Sequence, residues 1–133
     1  MNKRSFRLLV NKVLRSNPEL VEGEPVDDLY ATLDSTHSAF GFNFYVDPPE
    51  SNKVTIEADV PVPASQTDKY VKEFEKSGYE IVDIHHHGSF DGDDIHAAKT
   101  VSPMNASDAV SKALEYFESA LNRVESLRPV RDN

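Results

Sequence analysis

The 133-residue chain has no cysteine, no tryptophan, two methionines and five glycines. Without cysteine it has no disulfide framework, no thiol nucleophile and no thiolate zinc site, which suits a reducing compartment. None of the five glycines has the spacing of a phosphate-cradling loop, and Ser89, near His87, has no nucleophile-elbow pattern around it. Long apolar runs are missing as well. Leu8-Leu9-Val10 is broken at once by Asn11 and Lys12, too short for a secretory core and far too short to span a bilayer. The expectation is a cytoplasmic protein without a membrane partner. Seven Phe and five Tyr still offer large areas for burial, so a self-sufficient core is expected rather than disorder.

Positive charge is scarce beyond the first turns of the chain. Residues 1–16 hold Lys3, Arg4, Arg7, Lys12 and Arg15 and no acid, while the whole chain carries −9, so the remainder carries −14. A body of that sign repels nucleic-acid phosphates, and direct nucleic-acid binding would rest on the basic N-terminal helix alone. The same charge steers a protein partner with a basic surface. A merely solvated surface explains the excess equally well.

Hydrophobic periodicity divides the chain. Phe6, Leu9, Val10, Val13 and Leu14 recur at helical spacing, and Asn17-Pro18 stops that helix. Residues 1–27 read as a basic N-terminal helix and an acidic linker, 28–128 as one α+β domain, and 129–133 as a tail. Leu29, Tyr30, Leu33 and His37 suggest a short helix over 28–38. Phe40, Phe42, Phe44 and Val46, then Val54, Ile56, Ala58 and Val60, alternate as two strands. Ser65 with Asp68 opens a helix carrying Tyr70, Val71 and Phe74, and Ser77-Gly78 closes it. Tyr79 to His87 and Ile95 to Val101 form a second strand pair around an Asp91-Gly92 turn. A final helix from Asn105 carries Val110, Leu114, Phe117, Leu121 and Val124 on one stripe. A 40-residue offset superposes Ala58/Ala98, Pro63/Pro103, Asp68/Asp108, Lys72/Lys112 and Glu75/Glu115. The expected fold is ββα-ββα: a four-stranded antiparallel sheet with two helices on one face, ferredoxin-like or related, plus the N-terminal helix.

A two-residue turn at Asp91-Gly92 sets His87 opposite His96 and Ser89 opposite Asp94, about 5 Å apart at Cβ. His85, His87, His96 and Asp94 then share the outer face, a donor set suited to zinc, nickel or copper. The plainer reading is that a wet sheet face needs polar residues, or that clustered imidazoles make it pH-sensitive. His86 falls on the other side with Ile84 and Ile95. Glu57, Asp59 and Asp83 form a solvated outer face rather than an acid–base pair, since nothing there desolvates them. Tyr45 and Asn43 are interface anchors on that face. The partner-binding set is therefore Tyr45, Asn43, Glu57, Asp59, His85 and His87, with no catalytic residue and no required cofactor.

Thr55-Ile56-Glu57, Gly78-Tyr79-Glu80-Ile81, Asp91-Gly92-Asp93 and Asn105-Ala106 together resemble the bacterial regulator of ribonuclease E activity B family. The resemblance covers residues 54–124. It implies a ferredoxin-like β-α-β-β-α core and a protein-binding role against a ribonuclease. The family's closing strand, with its aspartate-glycine-tryptophan signature, is missing, and the strand at 40–46 is a candidate for the vacant edge position. The first expectation is a non-enzymatic regulator or inhibitor acting through an open sheet face. A dedicated secretion-type chaperone, which would be a homodimer, and a histidine-based metal-binding protein are the alternatives.

Overall fold

The computed structural model describes residues 1–24, 26–36, 41–86 and 92–127, the last seven by backbone only. Helix α1 (Lys3–Ser16) comes first, followed by strands β1 (Leu20–Glu22), β2 (Tyr30–Ser35), β3 (Gly41–Tyr45) and β4 (Val54–Pro63). Helix α2 (Thr67–Lys76), β5 (Glu80–His86), β6 (Gly92–Val101) and α3 (Ala106–Leu127) complete the order. The six strands form one sheet, β1-β2-β3-β4-β6-β5, and every neighbouring pair is antiparallel. The fold is α+β, with two more strands than the four expected.

Both extra strands lie where a linker and a short helix were expected. Leu20 is buried in the stretch taken as linker. In β2, Ala31 and Leu33 point into the core while Tyr30, Thr32 and Asp34 point away, which is strand periodicity and not helical. β3 pairs with β4, but it is not an edge strand, because β2 and β1 extend the sheet beyond it.

The core lies between the sheet's inner face and the helices. Phe42, Phe44 and Val46 and then Val54, Ile56, Ala58 and Val60 are all buried, as their alternation requires. α1 belongs to the same core: Phe6, Leu9, Val10 and Val13 are buried, and the Phe6 ring lies 5.8 Å from that of Phe44. Asn17 ties this helix to α3, its amide donating to the Val13 carbonyl (3.0 Å) and its Oδ1 accepting from Ser111 (2.8 Å). α2 and α3 meet through the Phe74 ring, edge-on to Tyr79 and Tyr116 at 5.4 and 4.9 Å. The Tyr79 hydroxyl donates to the Ala109 carbonyl at 2.7 Å, which satisfies the one polar atom of this buried phenol.

The helix ends differ in part from expectation. Each β-to-α connection contains a 3₁₀ turn, 64–66 and 103–105; Gln66 and not Ser65 precedes α2, whereas Asn105 directly precedes α3. At the end of α2, Tyr79 N–H bonds the Phe74 carbonyl (2.9 Å) and Gly78 N–H that of Glu75 (3.0 Å). That is a Schellman closure, and Gly78 takes the positive φ of 87° it requires.

The central four strands and two helices do form two ββα units. The β3–β4 pair Phe42↔Ala58 recurs in β5–β6 as Ile81↔Ala97, and Ile56 recurs as Ile95, 39 positions later each time. At these positions the offset in three dimensions is 39; past the bulge in β5 it becomes 40, where Phe44 matches Ile84.

Candidate functional site

The helices cover one face of the sheet, and the strand registers define what the other displays. β2 contributes Tyr30, Thr32 and Asp34; β3 contributes Asn43 and Tyr45; β4 contributes Thr55, Glu57 and Asp59. β6 adds Asp94, His96, Ala98 and Thr100, and β5 adds Glu80, Asp83 and His85. Six carboxylates thus share this face, and among the described residues no lysine or arginine joins them. Lys99 is the nearest test of that rule. It pairs with Ile56 on the inner side and donates to the Ser77 carbonyl at the end of α2.

The centre of the face is organised by Glu57. Its carboxylate accepts from the Tyr45 hydroxyl at 2.9 Å and from the Asn43 amide at 3.5 Å. Partial burial and the hydrogen bond to Glu57 push the Tyr45 phenol up to about 12, with Tyr30 and Asp47 adding smaller charge effects. Tyr30 lies directly opposite Tyr45, its ring stacked at 5.1 Å and 9°, and burial followed by the Glu57 charge raises its phenol too. Beside the stacked rings is a depression of about 530 Å³ lined by Asp27, Asp28, Asp47 and Pro49. The sequence reading puts Tyr30 on a short helix over 28–38 and so gives it no place on this face. The signal available was its alternation with Ala31 and Leu33.

Toward β5, imidazoles and carboxylates alternate. His85 Nε2 lies 3.1 Å from Asp83, and His96 Nδ1 lies 4.0 Å from Asp59. His86 is on the helix side and reaches Asp93 at 3.7 Å. The expected hairpin register is corrected: His85 faces Asp94 and Asp83 faces His96, four positions from the pairing that a two-residue turn at Asp91-Gly92 would impose. His96 therefore faces a carboxylate, not His87. His87 itself lies outside the described residues, as does Asp91. His85, His96 and Asp94 do share the outer face, but among the described residues no three potential ligands converge in a metal-binding group.

The face is acidic and open to solvent. Asp59, Asp83, Glu80 and Asp34 are exposed, and Glu57 and Asp94 are half-buried. The basic side of the molecule is α1, where Lys3 lies 3.5 Å from Asp28 and Arg7 pairs with Glu22. Among the described residues no helix is long and apolar enough to cross a membrane. Compared with models of known protein families, with characterised proteins and with solved structures, the chain matches none.

Proposed function

We propose that this protein is a non-enzymatic, protein-binding regulator or inhibitor whose open sheet face covers a basic surface of its partner. The observation that carries the reading is the six carboxylates on one face of an antiparallel sheet, unaccompanied by lysine or arginine among the described residues. A uniform sign across a face accelerates encounter with an oppositely charged partner and disfavours others. Tyr30 and Tyr45 supply rigid amphipathic area at the centre, the residue type that anchors interfaces. Asn43, Glu57, Asp59 and His85 surround them on the proposed contact surface. A ribonuclease is the first partner to assay, on the strength of the resemblance of residues 54–124.

The test is capture of a purified candidate by the wild type and by a Tyr45→Ala, Glu57→Gln double variant. Binding should weaken about tenfold or more, equivalent to about 1.4 kcal/mol, and the wild-type affinity should fall steeply with salt. The melting temperature should move little, since both side chains are only part-buried. Equal affinity of the double variant at equal stability would remove this face from the interaction.

A further inference from the structure

The two edges of the sheet are unlike. β1 is three residues long, and its Glu22 is held by Arg7 of α1. β5 presents seven residues, Glu80 to His86, with no strand beyond it among the described residues. A long bare edge is a template for another strand, and proteins normally blunt it. This one carries only a bulge between Ile81 and Asp83 and a self-made cover. The Ile84 amide donates to the carboxylate of Asp83, the preceding residue, in an exposed hydrogen bond of 2.8 Å.

The sides of β5 also differ. Ile84, on the helix side, lies opposite buried Ile95 yet is 43% exposed, and Val82, in the bulge between Ile81 and Asp83, is 54% exposed. The open side carries Glu80, Asp83 and His85, with Asp94 opposite His85. We propose that β5 is a strand-addition site that takes an extended segment of the basic partner. Lysine or arginine at alternate positions would meet the carboxylates, and apolar residues between them would meet Ile84.

The inference rests on the acidic-face reading and adds where and how the partner is held. Charge selects the occupant. A second copy of this chain would set the open side of its own β5, with Glu80 and Asp83, against the same acidic side, and opposed like charges destabilise strand pairing. A basic segment removes the cover as it binds: its cation draws the Asp83 carboxylate away, and its backbone carbonyl accepts the Ile84 N–H that this frees. Backbone hydrogen bonds give such a complex affinity, and the alternating side chains give it specificity.

The probe is a short synthetic peptide alternating lysine and valine, with a shuffled peptide of the same composition as control, titrated by fluorescence anisotropy. The alternating peptide should bind and slow hydrogen exchange at the Ile84 amide, and the shuffled one should bind at least about tenfold more weakly. Ile84→Pro removes that N–H and should lower affinity about tenfold or more. Ile84→Thr keeps the N–H and a β-branched side chain, and should stay within about threefold of wild type. Wild-type affinity in the proline variant, equal binding of the shuffled peptide, or no binding to the wild type would overturn strand addition. So would a wild-type dimer that Ile84→Pro dissociates, because the edge would then belong to a second copy. A Glu57→Lys, Asp59→Lys variant separates the two readings. If it loses the partner while Ile84→Pro retains it, the face stands without the edge; if it retains the partner, the face reading itself has failed.

Discussion

Phe44 in β3 and Ile84 in β5 occupy matching places in the two ββα units, each directly across from the equivalent isoleucine, Ile56 or Ile95. Both isoleucines are fully buried, and so is Phe44, whereas Ile84 is 43% exposed. The difference comes from what lies alongside. β3 has β2 beyond it and Phe6 of α1 against its aromatic ring. β5 has no strand beyond it among the described residues. Two units built on one plan therefore divide the work: one is closed over by the rest of the chain, and the other keeps backbone and apolar surface available. In the first unit β3 is flanked by strands on both sides; in the second, β5 is the outermost strand among the described residues.

Substitutions at matching positions should separate the halves. Phe44→Ala should cost about 3–5 kcal/mol in chemical denaturation, the range for deleting a fully buried aromatic side chain. A cost near that of a surface substitution would show that the first unit is not the closed one. At the end of α2, Gly78→Ala should cost about 1–2 kcal/mol, because an L side chain is strained at a φ of 87° and its Cβ would lie 3.1 Å from Lys99. Ile84→Ala should cost only about 1 kcal/mol, since much of the side chain is already in water. A loss as large as that at Phe44 would mean that β5 is covered, and the contrast would collapse.

The last expected effect is alkaline. Folding raises the Tyr45 phenol to about 12 from its usual 10, so the folded protein holds this proton after the unfolded chain releases it. Its contribution to stability is complete below pH 10 and is lost as the pH rises from 10 toward 12. Buried Tyr79, also raised by desolvation, acts in the same direction. Absorbance near 295 nm should show a late-titrating tyrosine, and Glu57→Gln should bring Tyr45 back toward 10. An unchanged titration in that variant would separate Tyr45 from Glu57.

Much of this organisation is legible in the residues alone. β3 and β4 each bury one face, so period-2 alternation is plain in Phe42, Phe44 and Val46 and again in Val54, Ile56 and Ala58. β2 escapes notice because its inner positions include small Ala31, while Leu29, Tyr30 and Leu33 fall at helical spacing by coincidence. β1 is too short, at three residues, to show any period. The hairpin case is more instructive. From Asp83 to His86 its pairing differs by four positions from the expected register, and an even displacement leaves those side chains on the same face; beyond the bulge the displacement is five, and Glu80 and Ile81 change sides. Asp83, His85, Asp94 and His96 are on the outer face as anticipated, although their cross-strand neighbours are different. The amphipathic pattern of α1 does not by itself say which surface its apolar stripe packs against. The Phe6–Phe44 contact and the Asn17–Ser111 bond depend on residues far apart in the chain.

The acidic face is the central claim, and amide shift mapping by NMR during titration with the purified partner tests it most directly. The account predicts the largest shifts at Asn43, Tyr45, Glu57 and His96, extending along β5 to Ile84, and their loss at high salt. Shifts concentrated instead on α1, α2 or α3, with the outer strands unmoved, would contradict it.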